Sequence, residues 1–282
     1  MIRCLPDRDI ERFIEEDLPY GDLTTHLLGI GDCQGRIVFS TREETTLCCT
    51  EEAARVLQKT GAAVVACMPS GTKLNPGIAF LAAEGSAQAL HAGWKVALNL
   101  LEYASGIASR TQRIVEKCRA VSSTLAVVTT RKSFPGTKKI AIKAITAGGA
   151  LPHRLGLSET VLVFKQHTAF LGGLESFIDS IAGLRQKARE TKVIVEADSV
   201  SEALLIAQCG ADIVQLDKIT PSELADAVKS VRAINPAILI SAAGGINEAN
   251  AGEYAATGID IIVLSSVYFG KPADIGVTIQ AS

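Results

Sequence analysis

From residue 125 onward the chain repeats one pattern: a short apolar run, a few polar residues, then an amphipathic stretch. Strands are expected at Leu125–Thr129, Val161–Phe164, Val193–Val195, Ile213–Leu216, Ile238–Ile240 and Ile261–Leu264. Helices are expected at Lys138–Ala147, Leu174–Arg189, Ser201–Cys209, Pro221–Ile234 and Glu248–Ala256. Ser201, Thr220 before Pro221, and Asn247 are the capping residues expected to open three of them. Strand–helix alternation at this spacing implies right-handed βαβ units and a parallel sheet. Hydrophobic residues make up 48% and aromatics only 5% of the chain, which suits strands buried on both faces by close-packed helices.

Polar residues follow the strands directly: Thr130-Arg131-Lys132, Lys165-Gln166-His167, Glu196-Ala197-Asp198, Asp217-Lys218, Ala243-Gly244-Gly245 and Ser265-Ser266. A β/α barrel gathers its functional groups at the C-terminal ends of all its strands. An open doubly wound sheet uses only its switch point. The expectation is therefore a parallel β/α barrel, incomplete in that only about six strands are evident.

The first 80 or so residues read differently. A helix over Asp7–Asp17, a strand over Gln34–Leu47, a helix from Thr50 closed by Gly61, and short strands at Val64–Ala66 and Ile78–Leu81 form a small α/β layer. A helical stretch over Ala87–Ala120 follows, with Ser105-Gly106 expected to interrupt it. The boundary between a first domain, 1–104, and a barrel domain, 105–270, is placed there.

Net charge is −2, so nothing global points to nucleic acid or a membrane surface. Apolar runs such as Ile261–Leu264 fall far short of the roughly 20 residues that cross a bilayer. The N-terminus turns acidic at once and lacks the look of a signal peptide, so a cytoplasmic protein is expected. Seven scattered cysteines, with no CxxC, argue against a disulfide framework or a structural zinc site.

Between Arg131 and His167 there are seven Lys/Arg (131, 132, 138, 139, 143, 154, 165) against one acid, Glu159. Such an island in a mildly acidic chain fits a small anionic ligand. Arg131-Lys132 and His153-Arg154 lie beside Gly and Pro turns, where guanidinium forks suit carboxylate or phosphate oxygens. The plainer alternative is a solvated basic face. Glu196, Asp198 and Asp217 each close an apolar strand. Carboxylates there can hold Mg²⁺, grip sugar hydroxyls or balance a developing cation. They can equally be helix caps or ion-pair partners, the reading preferred for Asp198. Gly244-Gly245, with Ile246-Asn247 opening a helix, would offer backbone N–H groups to a phosphate, and Ser265-Ser266 would add hydroxyls.

Taken in order, these residues resemble quinolinate phosphoribosyltransferase (nicotinate-nucleotide pyrophosphorylase). The resemblance runs through Glu16-Asp17, Gly21-Asp22-Leu23-Thr24-Thr25, Leu98-Asn99, Ser105-Gly106-Ile107-Ala108, Thr130-Arg131-Lys132 with Pro135-Gly136, Gly148-Gly149, His153-Arg154-Leu155-Gly156-Leu157, Val195-Glu196, Leu216-Asp217 and Gly244-Gly245. Thr130–Lys138 and Leu157–Thr160 look closer still to the ModD branch, which is associated with molybdate transport.

The resemblance implies an N-terminal α/β sandwich, an open β/α barrel, a tail at 271–282 packing back on the first domain, and a homodimer. It implies phosphoribosyl pyrophosphate and Mg²⁺. Arg131, His153 and Arg154 would bind an acidic nitrogen heterocycle. Lys132, Glu196 and Asp217 would be catalytic and serve the sugar pyrophosphate, with Glu196 and Asp217 at the metal. Gly244, Gly245, Ser265 and Ser266 would meet phosphate, and Lys95 would reach into the partner's site.

The departures cluster. Lys95 and Trp94 stand where the family has Arg and Glu, and Phe164 stands where it has a lysine, with Lys165 one residue later. Pro152 and Lys218 replace Asn, and Ala242-Ala243 and Ser265 alter the phosphate loops. Adjacent strand residues face opposite sides, so Lys165 can serve only if the strand has ended. Most departures fall on the heterocycle side, so an altered acceptor is expected. A ligand-binding protein that has lost turnover, linked to molybdenum transport, is the alternative. A third reading is a Schiff-base aldolase using Lys165 or Lys218.

Overall fold

The computed structural model describes residues 4–282. Two compact units divide the chain. The first takes residues up to Gln112, Phe134–Gly149 and Val267–Ser282; the second takes Arg113–Ser133 and Ala150–Ser266.

The first unit opens with α1 (Asp7–Asp17) and α2 (Leu23–Leu28). Asp22 caps α2 by accepting the Thr24 and Thr25 N–H groups. Next come β1 (Gln34–Thr41), β2 (Thr45–Thr46), α3 (Thr50–Lys59), β3 (Ala63–Cys67), β4 (Lys73–Leu74), β5 (Ala79–Ser86) and α4 (Ala87–Val121). The expected strand over Gln34–Leu47 is thus two: β1 lies in the main sheet, while β2 pairs with β4. Ile37 and Phe39 of β1 point into a core with Leu57 of α3 and Leu101 of α4.

Ser105-Gly106 does not interrupt α4, contrary to expectation. The pair serves close packing instead. Ser105 is buried and its hydroxyl accepts the Cys48 N–H at 2.9 Å. A Cβ on Gly106 would come 3.0 Å from Ala273 N and 3.1 Å from Lys271 O, so glycine admits the C-terminal segment there.

The parallel strands begin with β6 (Ala126–Thr129). The next helix, α5 (Lys138–Ala147), was expected among the barrel helices but belongs to the first unit. Two of its lysines meet carboxylates there. Lys139 pairs with Asp9 at 2.6 Å, and buried Lys143 pairs with Glu51 at 2.8 Å and Glu52 at 2.6 Å. The basic island is therefore divided between the units: Lys138, Lys139 and Lys143 belong to the first, and Arg131, Lys132, Arg154 and Lys165 to the second.

The second unit continues with β7 (Leu151–Pro152), β8 (Val161–Val163), α6 (Lys165–Thr168), α7 (Leu174–Lys187), β9 (Val193–Ala197), α8 (Val200–Gln208), β10 (Ile213–Asp217), α9 (Pro221–Ile234), β11 (Leu239–Ala243), α10 (Ala251–Ala255) and β12 (Ile261–Leu264). Ser199, not Ser201, caps α8. Thr220 caps α9 as expected. Asn247 caps nothing helical, because α10 begins only at Ala251.

Seven parallel strands form one sheet in the order β7-β6-β12-β11-β10-β9-β8. This is the open parallel β/α barrel, with β7 as a strand the sequence did not reveal. Its inner face carries Leu162, Ile194 and Ile213 packed with Phe164, Leu239 and Ile261. Val128, Ala243 and Val263 form a second apolar group. The chain ends in β13 (Ile275–Ala281), which pairs with β1 and completes the antiparallel sheet β13-β1-β5-β3 of the first unit.

Candidate functional site

Because all seven barrel strands are parallel, their C-terminal ends share one rim. At one end of the sheet, β6 and β7 set two basic loops side by side. His153 N–H donates to Thr129 O at 2.9 Å, holding the start of the His153-Arg154 loop against the end of β6. Burial lowers the pKa of Arg154, and the neighbouring Arg131 guanidinium lowers it further. His153 is pushed down by burial and then by Arg154, so its ring is neutral at pH 7. Its Nε2 is buried with no hydrogen-bond partner among the described residues. Neither Arg131 nor Arg154 has a carboxylate partner among those residues. Two guanidiniums crowded beside a neutral imidazole are poised for an anion. Lys132 is exposed next to them, its N–H bonded to Thr130 Oγ1.

Across the sheet, register places the acids. Gln215 lies opposite Glu196 and Ser241, and Asp217 opposite Ala243. Alternation puts Gln215 and Asp217 on the same inner face as Ile213. Gln215 is buried and its Nε2 donates to Glu196 Oε2 at 2.8 Å. Burial raises the Glu196 pKa; Asp217 and Asp198 add to this against the Gln215 hydrogen bond. Gln215 Oε1 has no partner among the described residues. Gln215 was not among the expected site residues, although a lone amide two positions before Asp217 in an apolar strand was a readable signal.

β8 ends at Val163, and Phe164 caps α6. The strand has thus stopped before Lys165, whose Nζ reaches Asp198 Oδ2 at 2.6 Å. Phe164 packs on the inner apolar cluster and stacks on His167 with ring centroids 5.7 Å apart. A cavity of about 120 Å³ opens here, lined by Phe164, Lys165, Glu196 and Asp198 among others. Asp198 is an ion-pair partner, as preferred above, while the cap is Ser199.

The glycine pair needs correction. Helix α10 starts six residues beyond Gly245, so no helix N-terminus faces these N–H groups. Gly244 instead makes room for β10: a Cβ there would come 2.6 Å from Asp217 Oδ1. Gly245 has φ +72° and faces open space, while its carbonyl accepts the Asn247 and Asn250 amides. Ser265 follows β12, and Ser266 Oγ is buried without a partner among the described residues. Lys95 lies on α4 in the first unit, with Nζ 5.1 Å from the Trp94 ring centroid.

No group of three or more His, Cys, Asp or Glu among the described residues is arranged to hold a metal. Glu196 and Asp217 would be the residues to hold Mg²⁺, an ion that keeps waters and needs only one or two carboxylates.

Residues 107–278 match the family model for the quinolinate phosphoribosyl transferase C-terminal domain, and residues 22–105 match the N-terminal domain. A Rhodobacter capsulatus protein, "Putative pyrophosphorylase ModD", is 44% identical over 88% of this chain and 95% of its own. The human nicotinate-nucleotide pyrophosphorylase [carboxylating] is 36% identical over 73% of this chain and 69% of its own. Among solved structures, nicotinate-nucleotide pyrophosphorylase from Ehrlichia chaffeensis superposes with a TM-score of 0.88 at 25% identity, covering 99% of this chain and 100% of that one.

Proposed function

The chain belongs to the quinolinate phosphoribosyl transferase family, and from that membership we propose that it transfers phosphoribosyl from phosphoribosyl pyrophosphate to a ring nitrogen of an acidic heterocycle, releasing pyrophosphate. It is an enzyme of the pyrophosphorylase type, a pentosyltransferase. The observation that carries the substrate class is the pairing of Arg131 and Arg154 at the ends of adjacent strands, with no carboxylate partner among the described residues.

In this reading Arg131, His153 and Arg154 grip the acceptor's acid group. Neutral His153 orients it through Nε2. Lys132 and Lys165 supply positive charge to the sugar pyrophosphate. Glu196, fixed by Gln215, and Asp217 face the ribose and its developing positive charge. Mg²⁺ entering with the pyrophosphate would be held by Glu196 and Asp217, and it would stabilise the leaving charge. Ser265, Ser266 and the Gly244-Gly245 turn line the sugar-phosphate end.

The acceptor differs from quinolinate. Phe164 fills the inner position with a ring stacked on His167, which replaces a charge by an apolar wall. Lys165, bound to Asp198, is an offset cation and does not restore it. A homodimer in which Lys95 reaches the partner's site belongs to this reading, supported by the exposure of that side chain. So does a cytoplasmic location, where phosphoribosyl pyrophosphate is made. The tie to molybdenum transport follows from the ModD resemblance.

The test is incubation with phosphoribosyl pyrophosphate, Mg²⁺ and a panel of pyridine and other heterocyclic acids, following pyrophosphate. Release with at least one acid supports the reading. Tight binding of phosphoribosyl pyrophosphate without release with any acid would favour the ligand-binding alternative.

A further inference from the structure

Lys218 follows Asp217 at the end of β10 with a left-handed backbone, φ +57°. Among the described residues the only other non-glycine with positive φ is Cys49. A long side chain adopts this region at a steric cost, and such strain persists where it places a group that is needed. The surroundings hold the conformation in place. Lys218 N–H donates to Ala243 O at 2.8 Å. The facing residue is Gly244, where a Cβ would come 2.6 Å from Lys218 Cγ and 2.9 Å from Lys218 N.

The result is a placed ammonium. Lys218 Nζ lies 2.8 Å from Asp217 Oδ2 with its side chain 79% exposed. Asp198 and Glu196 act on it as further negative charges, and Lys165 as a like charge. A bridge this exposed adds little stability, so the ion pair does not account for the strain.

We infer that Lys218 is a ligand-contacting residue of the strand-end site. Its ammonium, held by Asp217 in this structure, moves to an oxygen of the ligand's pyrophosphate group when Asp217 engages Mg²⁺ or a sugar hydroxyl. This rests on the phosphoribosyl reading above, and it adds a cation that the reading did not include.

Calorimetric titration with inorganic pyrophosphate and Mg²⁺, alongside thermal melting, tests it in the parent, Lys218→Asn, Lys218→Gly and Lys218→Arg. Asn and Gly tolerate positive φ better than Lys. Both variants should melt at the parent temperature or about 2 °C above it. Both should bind pyrophosphate at least ~10-fold more weakly, the scale of one charge-assisted contact. Lys218→Arg should keep most of the affinity. Parent-like affinity in Lys218→Asn and Lys218→Gly overturns the inference. So does weaker binding accompanied by a falling melting temperature, which marks a structural role. A parent that binds neither pyrophosphate nor phosphoribosyl pyrophosphate overturns the phosphoribosyl reading itself, and this inference with it.

Discussion

Lys143 shows how a single residue can be misread from its neighbours in sequence. It sits in a run of bases, yet it is buried on Glu51 and Glu52, and Glu52 is fully enclosed. Removing the cation would strand a buried carboxylate, so Lys143→Met should cost about 3–5 kcal/mol in urea unfolding. Burial alone would raise the Glu51 pKa, but the hydrogen bonds from Lys143 and Ser70 hold it down to about 2. A depressed folded pKa stabilises above the ordinary value of 4.5 and loses that contribution as pH falls toward 2. Unfolding free energy should therefore drop between pH 5 and pH 2, and drop less in Lys143→Met; an equal drop in both would assign the acid sensitivity elsewhere. At the rim, Glu196→Gln and Asp217→Asn should each cut turnover at least ~100-fold, the scale of losing one electrostatic stabiliser. Near-parental rates in both would remove their catalytic role.

At the scale of elements, the strands were legible because each buried run of β-branched residues ends in polar ones. Strand β7 was not: two residues, one of them Pro152, carry no periodic signal. Helix α5 was legible as a helix but not in its home, because its partners Asp9, Glu51 and Glu52 lie some 90 to 130 residues earlier. Ser105-Gly106 looked like a break because glycine weakens a helix interior. Only tertiary contact explains why α4 continues: the lost Cβ lets the segment around Pro272 approach. Gly106→Val should therefore destabilise by about 1–3 kcal/mol through overpacking. Gly106→Ala should cost less than Gly106→Val, since its helix propensity gain offsets part of the clash. If both left the melting temperature unchanged, the close approach would be immaterial. The helix expected to open directly after the glycine pair at 244–245 failed for a related reason. The pair's signal was correct for a turn, but the turn serves Asp217 and Lys218 rather than a helix end.

For the whole molecule, the parallel barrel decides where chemistry can sit. Charges at Arg131, Arg154, Glu196 and Asp217 are separated in sequence by up to 86 positions and share a rim only because every strand runs the same way. The sequence carried that arrangement in the polar residues after each strand. It did not carry the partners that distinguish a ligand cation from a structural one, because those depend on tertiary neighbours. Arg131 and Arg154 kept no carboxylate among the described residues, whereas Lys139 and Lys143 of α5 did. The central claim is that this uncompensated pair holds the acidic acceptor while the carboxylate side handles the sugar pyrophosphate. It is tested most directly by the rate of pyrophosphate release by Arg154→Met against acceptor concentration, at saturating phosphoribosyl pyrophosphate. The account predicts an acceptor KM raised at least ~10-fold, the loss of one charge-assisted grip, with binding of phosphoribosyl pyrophosphate unchanged. A parental acceptor KM would contradict it.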